Sequence, residues 1–308
     1  MATSGTTAFN MPFTDIAEEA WERAGRELRS GYDLQTARRS MNLMTIEWQN
    51  RGINMWTIEQ GVLDLVQGQA TYALPDDTID LLEQSIRTGA NNSVTQSDLN
   101  LNRISISTYS SIPNKITQSR PIQVVIHRDS GQTYPTSSTL GATATSTATT
   151  ITLSGVAGLP PAGFIKIGSE IINYGYIEGN VLQNCFRGQQ GTTAATHTIG
   201  GIAIPVYWEQ VPSVTVWPVP DNVQSYQIVY WRMRRVQDAG NGIETADMNF
   251  RFFPCLVAGL AYYIAMKVPE LVDRVPMLKA IYDEQFALAA AEDREKAPVR
   301  FVPRMGRI

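Results

Sequence analysis

Side chains suited to acid–base or metal chemistry are scarce in this chain. It has only two histidines, His127 and His197, and two cysteines, Cys185 and Cys255. Histidine titrates near neutrality and is the commonest metal ligand, so two of them leave little to build such a site from. Ser169 or Cys185 with His197 is a conceivable nucleophile–histidine pair, but nothing beside them has the form of a nucleophile elbow. His197 sits in Thr-Ala-Ala-Thr-His-Thr, which reads as a surface hairpin. Asp76, Asp77 and Asp80 could ligate a hard cation, although carboxylates after a proline turn are ordinarily solvated. Gly188-Gln189-Gln190-Gly191 follows Arg187, lacks the Lys-Ser/Thr of a phosphate cradle, and reads as a hairpin loop. Glu18/Glu19 and Glu22/Glu27 look like a solvated helix face, and Cys255 looks like core. No catalytic residue, metal site or cofactor is assigned.

Other residues are candidates for contact. Arg232, Arg234 and Arg235 form a basic cluster that could touch a phosphate backbone or pair with acids of a neighbouring subunit. Trp48, Trp56, Trp217 and Trp231 lack interleaved basic residues, so they read as core or as subunit-interface anchors and not as base-stacking platforms. The segment 296–308 carries Lys296, Arg300, Arg304 and Arg307 with no acid, and Pro298 and Pro303 disfavour helix there. Phe301, Val302, Met305 and Ile308 have no periodic face to bury, so this tail is expected to order on a partner.

Periodicity supplies the elements that must position these residues. A helix is expected over 13–30, with Thr14 as N-cap, a stripe of Ile16, Ala20, Ala24 and Leu28, and Gly31 just past its end. Asp33 is expected to cap a second helix over 34–50, with the stripe Ala37, Met41, Met44 and Trp48 and its end at Gly52. So short a link predicts an αα-hairpin. Strands are expected within 61–74, at 79–87, at the period-two run Arg103-Ile104-Ser105-Ile106-Ser107, at 122–128, at 214–217 and at 226–233. A third helix is expected over 249–267, broken by Pro269, and a fourth over 275–294 with the stripe Leu278, Ile281, Tyr282, Phe286 and Ala289.

Residues 131–205 differ in composition. They hold 12 of the 23 glycines and only four charged residues, Lys166, Glu170, Glu178 and Arg187. The alternation of Thr147, Thr149, Ile151 and Leu153, and the Glu178-Gly179-Asn180 turn, predict a small β module. The fold expected is α+β. A discontinuous host, 1–130 plus 206–295, would combine a helical bundle layer (13–52 with 248–294) and a mainly antiparallel β region (53–130 with 206–240). It would carry the all-β insert 131–205 and the extended basic tail 296–308.

At 308 residues the length suits about two domains. A net charge of −4 argues against coating nucleic acid through a basic surface. The run Cys255–Met266 is too short to cross a bilayer, and Met1–Pro12 lacks the basic-then-apolar pattern of a secretion signal, so no membrane role is expected.

One ordered set of residues is more specific. Asp15-Ile16-Ala17-Glu18-Glu19-Ala20, Glu47-Trp48 and Arg51-Gly52-Ile53-Asn54-Met55-Trp56 open it. Leu74-Pro75, Arg103-Ile104-Ser105, Ile112-Pro113-Asn114-Lys115 and Arg120-Pro121 continue it. Trp217-Pro218-Val219-Pro220-Asp221 and Gly259-Leu260-Ala261-Tyr262 close it. Over about residues 10–128 and 206–300 the chain resembles the head-to-tail adaptors of short-tailed bacteriophages (podoviruses), also called tail tubular protein A-like or packaged-DNA stabilisation proteins. The resemblance implies a virion structural protein, assembled in the host cytoplasm and placed at the head–tail junction. It implies a homo-oligomeric connector ring, twelve copies in that family, bound to the portal protein above and to a tail nozzle or tube protein below. Double-stranded DNA would pass through its lumen without sequence recognition during packaging and ejection, and an acidic lumen would let it slide. No cofactor and no enzymatic step are implied. The resemblance also implies that the C-terminal segment meets the portal, through Lys296, Arg300, Phe301, Arg304, Arg307 and Ile308. The insert resembles a β module grafted onto various phage structural proteins. Two other classes stay open, a tail-associated cell-wall-degrading enzyme and a glycan-binding or fibre-attachment tail protein.

Overall fold

The structure, a computed structural model, describes residues 5, 11–53, 55–90, 92, 94–199, 203–240 and 244–293. In chain order it forms α1 (Phe13–Ala24), α2 (Gly31–Asn50), β1 (Ile58–Asp64), β2 (Thr71–Ala73), β3 (Thr78–Thr88), β4 (Ser97–Asn100), β5 (Asn102–Arg103) and α3 (Ile106–Ser110). Then follow β6 (Gln123–His127), β7 (Gln132–Thr139), β8 (Ile151–Thr152), β9 (Gly163–Ile167), β10 (Glu170–Tyr174), β11 (Tyr176–Glu178), β12 (Val181–Gln183) and β13 (Phe186–Gln189). The chain continues through β14 (Pro205–Gln210), β15 (Ser213–Trp217), β16 (Tyr226–Arg234), α4 (Phe253–Ala265) and α5 (Val275–Glu292). The fold is α+β, and it divides into two compact units, 1–58 with 236–308 and 59–235. The first unit holds α1, α2, α4 and α5, and the second holds the sheets and the short α3. Residues 131–205 fall within the second unit.

The helical unit is built around α4. That helix carries no charge and is apolar on nearly every side, which suits a helix surrounded by others. Helices α1, α2 and α5 all pack on it, and α1 meets α2 far less than it meets α4. The expected αα-hairpin is thus two helices laid on a common third. Gly259 allows the approach, since a Cβ there would collide with Met44 Sδ and the Tyr282 ring. The α2 stripe Ala37, Met41, Met44 and Trp48 is buried as expected, and Trp48 Nε1 donates to Tyr282 Oη at 2.8 Å.

Several boundaries differ from the sequence expectation. Helix α1 begins at Phe13 with no side-chain cap, so Thr14 is not its N-cap. It stops at Ala24 because Gly25 takes a left-handed φ of 100° and returns its N–H to Glu22 and Trp21. Gly31 is the first residue of α2, not a terminator. Ser30, not Asp33, caps α2: Ser30 Oγ accepts from Asp33 N at 3.2 Å, and the Asp33 carboxylate accepts from Ser30 Oγ at 2.9 Å. Of the α5 stripe, Leu278, Tyr282 and Ala289 are buried, while Ile281 is exposed. The Arg103–Ser107 alternation gives only the short β5, and the chain then turns into α3, because the Ser105 hydroxyl accepts from Thr108 N at 3.1 Å.

The β unit contains two cores. In the first, the sheet β1-β16-β3-β4 faces the sheet β2-β15-β6-β5 across Leu81, Ile86, Val124, Val214, Val216 and Ile228. Strands β6 and β15 pair antiparallel, with Val125 opposite Thr215, and the insert leaves and re-enters between them. The second core belongs to the insert and holds Leu140, Ile151, Ile165, Ile167, Ile172 and Leu182 under the sheet β13-β10-β9-β14-β7. Strand β14 pairs with β7 and β9, so a boundary at residue 205 would cut it from its own sheet.

Candidate functional site

Strand β16 sets the arginine cluster beside β1 and the β2–β3 turn. Arg232 forms ion pairs with Asp77 and, at 2.8 Å, with Glu59. Arg234 Nε reaches the same Glu59 at 2.7 Å. Arg235 donates from Nη2 to the Ser130 carbonyl at 3.1 Å, and its N–H donates to the Asp77 carbonyl at 2.8 Å. Burial opposes the Arg232 charge, but Asp77 and Glu59 more than offset it and hold the guanidinium more firmly protonated than usual. Arg232 and Arg234 therefore pair inside their own unit, and a phosphate would have to displace Glu59 and Asp77. The same kind of pairing occupies two of the three carboxylates that could ligate a cation. Asp77 belongs to Arg232, and Asp80 pairs with Arg103 at 2.9 Å and with Arg128 at 2.5 Å. Among the described residues no group of three metal-capable side chains occurs.

A second cluster lies within the insert and escaped the sequence reading. Glu170 is fully buried at the start of β10. Its carboxylate accepts from Arg187 Nε and Nη2 at 2.8 and 2.7 Å, from Gly188 N and Ala195 N at 3.0 Å each, and lies 2.8 Å from His197 Nε2. Burial alone would raise this carboxyl. The donors of Arg187, Ala195, His197 and Gly188 outweigh it and bring it down to about 2. His197 is thus buried and bonded to Glu170, not a surface hairpin residue, and it is unavailable to Ser169 or Cys185. Burial pushes the Cys185 and Cys255 thiols up to about 12, which keeps both unreactive. Gly188–Gly191 is not a hairpin loop throughout: Gly188 and Gln189 end β13, Gln190 and Gly191 turn after it, and Gly188 supplies one of these backbone donors. A signal was present in the sequence: Glu170 and Arg187 are two of only four charges in an otherwise uncharged module.

The helical unit presents a different surface. On α2, Tyr32, Leu43 and Ile46 lie on one exposed face, opposite the buried stripe, and Leu43 is 58% exposed. On α5, Met277, Ile281 and Leu288 recur at helical spacing on another, and Leu288 is 60% exposed. Of the tryptophans, Trp48 is core, while Trp56 donates to the Asp247 carbonyl and Trp217 to the Asn114 carbonyl, each at 3.0 Å. Trp231 is exposed. The tail residues Lys296, Arg300, Phe301, Arg304, Arg307 and Ile308 lie outside the described residues. No described helix is long and apolar enough to cross a membrane. Neither a family model nor a curated protein matches the chain.

Proposed function

We propose that this chain is a virion structural protein that forms a ring-shaped adaptor between the portal and the tail nozzle or tube of a short-tailed bacteriophage. The ring lengthens the DNA channel and helps retain packaged DNA. The observation that carries the proposal is the pair of exposed apolar faces on α2 and α5. Each helix already buries one stripe in its own core, so the second stripe awaits a partner. A ring closes by head-to-tail contacts, which need two different faces on every copy, and the helical unit supplies two. Burying one leucine contributes about 1.5–3 kcal/mol, and a ring repeats that gain at every joint. The basic tail, through Lys296, Arg300, Phe301, Arg304, Arg307 and Ile308, is the segment we assign to the portal.

The test uses the full chain assembled on purified portal and counted by native mass spectrometry. Leu43→Asp and Leu288→Asp should each keep the helical content and lose the ring. Mixed together, the two variants should give dimers and nothing larger, because one intact α2 face meets one intact α5 face only once. Rings formed by either variant alone would refute the proposal.

A further inference from the structure

A cleft of about 660 Å³ opens inside the β unit, between the β2-β15-β6 face and the insert's sheet. Its floor is a row of neutral polar groups. Thr71 Oγ1 and Thr215 Oγ1 are 2.9 Å apart, and Thr215 Oγ1 is 3.2 Å from His127 Nε2. One wall is Trp208, stacked on Tyr134 with ring centroids 5.3 Å apart and planes 29° from parallel. That stacking fixes the indole, whose Nε1 has no hydrogen-bond partner among the described residues. Tyr109, Tyr176, Asn184 and Gln118 border the mouth.

Each charged side chain in the lining already holds a hydrogen-bond partner. Lys115 donates to the carbonyls of Ser110 and Ile112 at 3.2 and 2.9 Å. Glu209 accepts from Thr133 Oγ1 at 2.5 Å, and Asp129 accepts from Gln210 Nε2 at 3.1 Å. What remains for a ligand is aromatic surface, hydroxyls and side-chain amides.

We propose that this cleft binds a neutral oligosaccharide. A sugar ring has an apolar C–H face that lies on an aromatic plate and an edge of hydroxyls that pair with amides and other hydroxyls. The volume falls within the range of sites that enclose small ligands. A phosphorylated ligand would meet two carboxylates, Asp129 and Glu209, against the single ammonium of Lys115. A wholly apolar ligand would cut the Thr71–Thr215–His127 row off from water. A peptide strand would add to an open sheet edge; β15 and β9 are interior strands, and edge strand β2 brings Thr71, whose carbonyl already accepts from Gln69 Nε2 at 2.7 Å. The proposal rests on the β unit alone and is independent of the ring.

The experiment titrates cellotriose, chitotriose and xylotriose into the full chain, reading tryptophan fluorescence and ligand-observed NMR saturation transfer. At least one should bind with millimolar affinity or better. Trp208→Ala should weaken that binding about tenfold or more. Tyr176→Ala, at an exposed position, should weaken it severalfold without touching the fold, which keeps the test decisive if Trp208→Ala fails to fold. Saturation transfer to none of the three sugars would overturn the proposal. So would sugar binding that both variants leave unchanged, or a peptide-library hit lost in Tyr176→Ala while no sugar binds.

Discussion

Arg187 and Arg232 each hold a carboxylate oxygen within 3 Å, yet they stand in different surroundings. The Arg187 cluster is sealed: its side chain is 7% exposed and Glu170 is not exposed at all. The Arg232 cluster is open on its acidic side, where Glu59 is 43% exposed. In the sealed cluster every lone pair of Glu170 must be met by a protein donor, and five contacts meet them. In the open cluster water shares the work, so no single bond is critical. Water access, more than the count of ion pairs, decides how much each cluster contributes to stability.

The largest effect expected is from Glu170→Gln. Neutralising the carboxylate leaves the Arg187 guanidinium buried without a counter-charge, which should cost about 3–5 kcal/mol in urea unfolding of the β unit. Loss of less than about 1 kcal/mol would show that water reaches the cluster after all. A double substitution, Glu170→Leu with Arg187→Leu, should recover part of the loss, since both charges then go together.

Acid sharpens the same contrast. The Glu170 carboxyl falls from an unfolded value of 4.5 to about 2 in the folded chain. A lowered folded value means that the stabilisation is fully present above pH 4.5 and is lost as pH falls from there toward 2. The loss should approach about 3 kcal/mol by the bottom of that window, and Glu170→Gln should flatten it. An equally steep slope in the variant would place the effect on other carboxylates.

The smallest effect belongs to the open cluster. Glu59→Gln should change stability by about 0–1 kcal/mol, and added salt should shrink even that. A salt-independent loss of several kcal/mol would mean that this cluster is as closed as the other.

The elements with one uncontested signal were legible in the sequence. The stripe Ala37, Met41, Met44 and Trp48 has no rival pattern, and all four residues are buried. Strands β3, β6, β15 and β16 likewise lie at the positions the sequence predicts, 79–87, 122–128, 214–217 and 226–233. The misreadings came where two local signals competed. Leu28 continues the α1 stripe in sequence, but the left-handed Gly25 has already ended the helix. Ile104 and Ile106 alternate as in a strand, but the Ser105 hydroxyl starts a helical turn. His197 was obscure for another reason. Its surroundings of threonine and alanine resemble a surface loop, and its true partner, Glu170, is 27 residues away. No periodicity reports a contact of that kind, although one of only two acids in a module with four charges hints that something must meet it. The cleft was illegible because it forms between two sheets, and its walls come from segments as distant as Thr71 and Trp208.

The central position of α4 has a consequence for synthesis. Helices α1 and α2 leave the ribosome first, but the helix they pack against begins at Phe253, about 200 residues after α2 ends. At ordinary translation rates that is roughly ten to forty seconds with two apolar stripes unsheltered. The residues made in the interval, 59–235, have cores of their own and need not wait. On ribosomes stalled near residue 275, where 59–235 have emerged and α4 has not, protease should therefore spare the sheets and cut within 11–50, and only release of the finished chain should protect both.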